Sequence, residues 1–101
     1  MNFMILGKDI EDGVVLRAAT RPQHLEFWQN VTIEILLAGP LLDNSSGEPK
    51  GSMLVVEADD IEAVRSVAEA DPYFLAGVFS SLEIVPMRLG FGSLVPAPGQ
   101  V

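Results

Sequence analysis

Apolar runs alternate with short polar stretches along this chain, and their periodicity predicts four strands and two helices. Residues 2–7 (NFMILG) are almost wholly apolar, as in a buried strand, and residues 32–42 alternate as in a strand with one face in water. The polar cluster 43–49 (DNSSGEP) predicts a turn, so residues 51–58 (GSMLVVEA) would return beside 32–42 as a hairpin. The last strand is predicted over 78–85.

The first helix is predicted to begin at Thr20. Thr20 and Gln23 have the spacing of a capping box, and Pro22 is tolerated in a first turn. Residues 8–18 carry three carboxylates and a glycine, so they are predicted to form the preceding loop. Beyond the start, side chains at helical spacing form one inward face, which comprises His24, Phe27, Trp28 and Val31.

The second helix is predicted to begin at Asp59 or Asp60, because Asp59 and Glu62 again have capping-box spacing. It should end before Pro72, since the residue that precedes a proline avoids helical backbone angles. Residues 73–77 would then be a short link. The apolar face of this helix comprises Ile61, Val64, Val67 and Ala68.

This order, β-α-β-β-α-β, predicts a ferredoxin-like α+β fold with two helices on one face of a four-stranded antiparallel sheet. The other sheet face is left bare. Hydrophobic residues make up 49% of the chain, which fits either an apolar interface or a core rich in Leu and Val. We expect a homodimer held by the sheet faces. The domain is predicted to span 1–89, and 90–101 is predicted to be a flexible tail containing Gly and Pro that folding does not need.

Charge and composition narrow the possible partners. The chain has 14 acidic and 6 basic residues, a net charge of −8, and its basic residues are scattered. We expect no nucleic-acid or membrane partner, because both need clustered Lys and Arg. A small organic ligand remains open, an anionic one included, since two arginines in one pocket suffice locally.

The numbers of cysteines and histidines limit the cofactors that this chain can bind. The chain has no cysteine and one histidine, which excludes thiol nucleophiles, disulfides and multi-histidine metal sites within one chain. We therefore expect no metal and no cofactor. No apolar run approaches about 20 residues, and the first residues lack the basic segment of a signal peptide, so a cytoplasmic location is expected.

His24 is the candidate base, because imidazole is the side chain that ordinarily titrates near neutrality. Taken alone, a core histidine bonded to a carbonyl is the simpler interpretation. Asp71, taken alone, is simply a helix stop before proline. In this fold, however, the end of the second helix can approach the first turn of the first helix. Asp71 could then orient the imidazole from about 2.6–3.2 Å, as in a general base with its orienting carboxylate.

Two arginines and a set of small residues are candidate ligand contacts. Arg17 and Arg21 flank the predicted start of the first helix, and each alone is most simply a solvated charge. Arg21 lies within one turn of His24. Small residues in 38–40 (AGP) and 51–52 (GS) face each other across the hairpin, where they allow either close ligand approach or a bulge. Phosphate-binding GxGxxG and nucleophile GxSxG motifs are absent from the sequence.

These motifs, in this order, resemble the YciI-like (YCII-related domain) family over residues 2–86. The matching segments are 21–25 (RPQHL), 38–40 (AGP), 51–52 (GS), 71–73 (DPY) and 76–77 (AG). The resemblance implies a ferredoxin-like fold, a dimeric α/β barrel and a site centred on His24 and Asp71. It also implies that most relatives have no assigned reaction, while a few are dehydrochlorinases of aromatic breakdown products. The region from Met87 onward departs from the family pattern.

Two functions from different classes follow. The first is a small-molecule enzyme that transfers a proton, of isomerase, lyase or hydrolase type, with His24 and Asp71 as catalytic residues. The second is a non-catalytic dimeric module that only binds a ligand. Haem binding through His24 is a weaker third, and a colourless protein would argue against it. The residues predicted to contact the substrate are Arg21, Gly39, Pro40, Ser52 and Tyr73.

Overall fold

The computed structural model describes residues 1–95 and has the expected ferredoxin-like α+β architecture. Its four-stranded antiparallel sheet has the order β2-β3-β1-β4. No helix in the described part is long and apolar enough to cross a membrane. The elements are β1 (Asn2–Asp9), α1 (Val14–Gln29), β2 (Glu34–Leu42), β3 (Pro49–Glu57), α2 (Ile61–Ala68), α3 (Pro72–Leu75) and β4 (Phe79–Met87).

β1 is apolar on both faces because it lies in the middle of the sheet, between β3 and β4. Phe3 and Ile5 point toward the helices, and their partners on β3 are Val56 and Leu54. Alternation along a strand sends the neighbouring side chains to the opposite face. The buried core cluster consists of Phe3, Ile5, Trp28, Leu54, Val56, Val64 and Ala68.

The prediction for the first helix start is wrong by six residues. α1 begins at Val14, so residues 14–18 of the predicted loop 8–18 are helical. Thr20 does not cap the helix, because its hydroxyl donates to the Leu16 carbonyl at 2.8 Å from inside it. Pro22 also lies inside the helix. The additional turns are held against the sheet by a buried ion pair between Arg17 and Asp9, a contact that local sequence patterns do not reveal.

The second helix is capped one residue later than the Asp59–Glu62 spacing indicates. Asp60 is the cap, and its carboxylate accepts from the Ala63 amide at 2.9 Å. The predicted link 73–77 is also wrong, because Pro72–Leu75 forms α3. The Asp-Pro pair that was predicted to stop the second helix instead begins α3, after α2 has ended at Ala68, since proline is well suited to the first position of a helix.

The strands differ from their predicted bounds by a few residues at most. The hairpin turn is confirmed, and the Asp43 carboxylate organises it by accepting from the amides of Ser45 and Ser46. β2 begins at Glu34 and contains a bulge at residue 36. β4 continues to Met87 rather than stopping at 85. Of the predicted tail 90–101, residues 96–101 lie outside the described residues, and its dispensability stays a prediction.

A glycine on β3 permits the close approach of β3 to β1. A Cβ atom at Gly51 would lie 2.6 Å from the Gly7 carbonyl oxygen, which is far inside van der Waals contact. Glycine removes that clash and leaves Ser52 directly paired with Gly7. This pairing fixes the position of Ser52, which lies on the helix side of the sheet beside the site described below.

The sheet face away from the helices carries several apolar side chains, with the charged Glu83 opposite Leu6 among them. Since Phe3 and Ile5 face the helices, Met4 and Leu6 lie on the other face, together with their neighbours on the flanking strands. Val85 is 37% exposed and Leu37 is 38% exposed on this face. We call this surface the open sheet face, and its apolar members include Met4, Leu6, Leu37, Val55, Val85 and Met87.

Val64 provides a test of the core assignment. It is completely buried in α2, so Val64→Ala should leave a cavity and lower the free energy of unfolding by roughly 1–3 kcal/mol. The matched control is Val15→Ala in α1, where the side chain is 80% exposed, and its effect should stay within about 0.5 kcal/mol. Urea denaturation of both variants measures the difference, and equal small effects would contradict the core described here.

Candidate active site

Asp71 is a buried carboxylate on which three N–H groups converge. Its side chain is 2% exposed. Oδ1 accepts from the Tyr73 amide at 2.9 Å, and Oδ2 accepts from the Trp28 indole Nε1 at 3.0 Å. Oδ1 also lies 2.8 Å from His24 Nδ1, within the predicted range. The indole and the amide can only donate, so both oxygens act as acceptors and the site suits an ionised carboxylate.

The local sequence explains why these groups meet. His24 and Trp28 are four residues apart on α1, so they lie on the same helix face and both reach one carboxylate. Asp71 caps α3, and this places its side chain at the start of that short helix. α1 and α3 pack directly together. The family-implied pairing of His24 with Asp71 is therefore present as a hydrogen bond.

The carboxylate also determines which nitrogen of His24 is available. Because Asp71 Oδ1 accepts, Nδ1 donates, and in the neutral ring the lone pair lies on Nε2. Within residues 1–95, every fully buried side-chain nitrogen or oxygen has a hydrogen-bond partner. Nε2 has none there, so it is accessible, and the His24 side chain is 14% exposed. This arrangement can accept a proton at Nε2 while the carboxylate stabilises the resulting cation.

The Tyr73 ring packs against His24 on one side of the site. The two rings are stacked with centroids 3.8 Å apart and planes inclined by 13°. The Arg17 guanidinium carbon lies 4.6 Å from the Tyr73 ring centre, in cation–π range. Burial raises the pKa of the Tyr73 phenol above its ordinary value, and the nearby charges of Arg17 and Arg21 oppose the increase only in part. The phenol is therefore neutral at physiological pH.

Arg17 is buried, whereas the sequence favoured a solvated charge. Its Nη1 donates to both carboxylate oxygens of Asp9, at 2.8 and 3.0 Å, and its Nη2 donates to the Ser52 hydroxyl. The side chains of Arg17 and Asp9 are 8% and 4% exposed. A signal for Arg17 does exist in the sequence, because residues 17, 21, 24 and 28 continue one helical stripe. The late helix start assigned to Thr20 concealed it. Asp9 has no comparable signal.

A cleft of about 330 Å³ lies between α1 and the β2–β3 hairpin. It contains all the predicted substrate-contact residues and the catalytic candidate His24, whereas Asp71 lies behind His24 and does not line it. Pro40 is paired with Ser52, so the two small segments do face each other across the hairpin. The predicted residues brought together are Arg21, His24, Gly39, Pro40, Ser52 and Tyr73.

Other features of the surface offer less chemistry. A wider groove of about 600 Å³ runs between the C-terminal parts of α1 and α2, and it is lined by Phe27, Val31 and Val67 without a histidine or an arginine. Within the described residues, no group of three His, Asp or Glu side chains is arranged to hold a metal ion. The smaller cleft at His24 is therefore the candidate site, because it combines a base, a buried carboxylate and cations.

Comparison with known sequences identifies the family of this chain. The chain belongs to the YCII-related domain family, whose profile matches residues 1–88. It is 33% identical over 98 residues to Protein YciI of Escherichia coli O6:H1, covering 90% of this chain and 100% of that protein. An uncharacterized protein of Haemophilus influenzae is 30% identical over 98 residues, with the same coverage. The expected family is thus confirmed.

A solved structure of an enzyme has the same fold. It is 5-chloro-2-hydroxyhydroquinone dehydrochlorinase (TftG) from Burkholderia phenoliruptrix AC1100, in complex with 2,5-dihydroxybenzoquinone. The TM-score is 0.83 at 29% sequence identity, and the match covers 89% of this chain and 96% of TftG. At the family level, this similarity supports a small-molecule enzyme.

Tyr73 predicts how stability depends on alkaline pH. Because its pKa is raised on folding, the folded state favours the protonated phenol. The associated stability is complete below the unfolded value, about 10, and is lost as the pH rises through the higher folded value. Urea midpoints of the wild type should therefore fall more steeply in this range than those of Tyr73→Phe. Tyr73 is the one tyrosine in the chain, so phenolate absorbance reports its titration directly. An ordinary titration without loss of stability would contradict its burial.

Proposed function

We propose that this protein is a small-molecule enzyme in which the His24–Asp71 pair transfers a proton. One observation carries the proposal: Nδ1 of His24 is bound to a buried carboxylate at 2.8 Å, while the other ring nitrogen is accessible in a cleft. A base in this arrangement has a defined tautomer and a fixed orientation. The reaction type fits an isomerase, a lyase or a hydrolase, each of which needs a positioned general acid–base.

The chemistry centres on Nε2 of His24. In an isomerisation, Nε2 would take a proton from one substrate atom and return it to another. In an elimination, the same proton would move to Nε2 while the electron pair of the broken bond expels a leaving group. Asp71 stabilises the imidazolium formed in either case. The indole of Trp28 and the amide of Tyr73 keep the carboxylate in place, so little reorganisation accompanies the transfer.

The other cleft residues would bind and orient the substrate. Arg21 supplies a positive charge and Ser52 a hydroxyl, while Gly39 and Pro40 leave room for close approach. Tyr73 is 2% exposed and stacks on His24, so it would act mainly by holding the imidazole in place. A volume of about 330 Å³ lies at the small end of the usual range for ligand sites, which suits a compound with a single ring.

The similarity to TftG suggests the first compounds to test. TftG is named for its action on 5-chloro-2-hydroxyhydroquinone, and its structure holds 2,5-dihydroxybenzoquinone. Both are small oxygenated rings with acidic hydroxyls, in keeping with the size and charge of the cleft. We propose the first as a trial substrate and the second as a trial ligand for this chain.

Substitutions in the pair test the proposed mechanism. His24→Ala and Asp71→Asn should each lower kcat for chloride release from 5-chloro-2-hydroxyhydroquinone by about 100-fold or more. Glu26→Gln is the control, because Glu26 is exposed on α1 outside the cleft, and its kcat should be unchanged. Melting temperatures are measured in parallel.

Two outcomes would overturn the proposal. Full activity of both variants together with a large loss of stability would mean that the pair only supports the scaffold. A wild-type protein that binds 2,5-dihydroxybenzoquinone, yet transfers no proton of the trial substrate or of related acidic rings, would instead be a non-catalytic binding module.

We also propose that the protein works as a homodimer joined through the open sheet face. Exposed apolar side chains such as Leu37 and Val85 favour cover by a second copy. The contact should bury at least ~1,000 Å² in total.

Size exclusion with light scattering tests the dimer. The wild type should have the mass of two chains at micromolar concentration, and Val85→Glu should shift it toward one chain because a buried charge disfavours the interface. Val15→Glu introduces the same charge on an exposed position of α1 and should leave the mass unchanged. A monomeric wild type would contradict the proposal.

A further inference from the structure

The hydrogen bond between Arg17 and Ser52 has a fixed direction. A guanidinium has no acceptor, so Arg17 donates and the Ser52 hydroxyl oxygen accepts. The hydroxyl hydrogen of Ser52 must then point elsewhere. It has no acceptor within the part of the chain that the structure describes, and Ser52 lines the cleft. Ser52 is 4% exposed, so its hydrogen is available only to a ligand oxygen placed directly against it in the cleft.

The charge of the cleft is opposite in sign to that of the chain. Arg17, Arg21 and His24 line it, but no Asp or Glu does, although the chain carries a net charge of −8. Asp9 lies behind the lining and neutralises Arg17 through a buried ion pair. Arg21 has no ion pair or hydrogen bond within residues 1–95, so its charge is uncompensated there. An anion of matching size would satisfy it.

Resting on the proposed function, we propose that the buried Asp9–Arg17 pair is a second positioning pair, which makes Ser52 a hydrogen-bond donor. Together with Arg21, it selects the ionised form of an oxygenated ring, such as an enolate or a phenolate. The ligand oxygens at Ser52 and Arg21 would act only as acceptors. The ligand hydrogen that is transferred would lie at Nε2 of His24. This nitrogen is an acceptor because Asp71 binds the other ring nitrogen.

This arrangement discriminates against neutral ligands. A neutral ligand hydroxyl between Ser52 and Arg21 would have two donors as neighbours, so its own hydrogen would point at one of them. It would also leave the charge of Arg21 without a counterion. A charge-assisted hydrogen bond is roughly twice as strong as a neutral one. The ring itself would contact apolar side chains of the lining, namely Val14, Leu25 and Leu54.

The probes for this selectivity are 2,5-dihydroxybenzoquinone, whose acidic hydroxyls are already ionised at neutral pH, and its neutral ether 2,5-dimethoxybenzoquinone. Calorimetric titration measures Kd without turnover. The wild type should bind the acid at least about tenfold more tightly than the ether. Ser52→Ala should raise the Kd of the acid by about tenfold and the Kd of the ether by less. Arg21→Gln should remove most of the preference for the acid. Ser66→Ala and Arg65→Gln, both exposed on α2, are controls that should change neither Kd.

Arg17→Lys tests the positioning role. Lysine keeps the charge but cannot hold Asp9 and Ser52 with a planar fork, so the ratio of the two Kd values should fall. A purely structural role would weaken both probes equally, whatever the melting temperature. If Arg17→Lys does not fold, Ser52→Ala and Arg21→Gln decide the question alone. Equal wild-type affinities for the two probes, or an unchanged ratio in every folded variant, would overturn the inference.

The same titrations separate this inference from the proposed function. His24→Ala leaves Arg17, Arg21 and Ser52 in place, so it should retain the preference for the acid while losing proton transfer. A His24→Ala protein with full turnover but the expected selectivity would refute the proton-transfer mechanism alone. A wild type with turnover that depends on His24 but without selectivity would refute the second pair alone.

Discussion

The buried carboxylate of Asp71 is the interaction on which the rest of the site depends. Burying an ionised group costs several kcal/mol unless hydrogen bonds replace its water. Here the indole of Trp28, the amide of Tyr73 and the imidazole of His24 replace that water. Two of these donors come from α1 and one from α3, so satisfying a single charge also holds the two helices together. The same three contacts orient the histidine.

A second buried carboxylate performs the corresponding task at the end of β1. Asp9 holds the Arg17 guanidinium, which also contacts Ser52 on β3 and the Tyr73 ring of α3. Tyr73 in turn stacks on His24. The two hydrogen-bonded pairs are therefore connected through one aromatic ring, and the polar groups of the cleft are fixed from both ends. Removing either carboxylate would leave a buried donor unpaired, which costs more than the loss of an exposed contact.

The fold was predictable from the sequence because its signals are periodic or local, whereas the pairing of His24 with Asp71 was implied by the family resemblance. Alternation in 32–42, the polar turn after it and the His24–Trp28 stripe each depend on neighbours within a few residues. The start of α1 was not predictable in this way. Thr20 and Gln23 have the spacing of a cap, but the contact between Asp9 and Arg17 links the end of a strand to a helix turn, and that tertiary contact outweighs the local preference. The burial of Arg17 was missed for the same reason.

Neither of the two buried carboxylates lines the cleft, and electrostatics gives the reason. A carboxylate facing the ligand would repel an anion and compete for the same donors. Placed behind the lining, Asp9 and Asp71 instead act through Arg17 and His24, whose opposite ends are turned toward the cleft. The acidic residues then determine the hydrogen-bonding direction of the groups in front of them, and the lining itself carries no carboxylate. In a chain with an excess of acidic residues, this separation would allow the site to take the anionic ring proposed above.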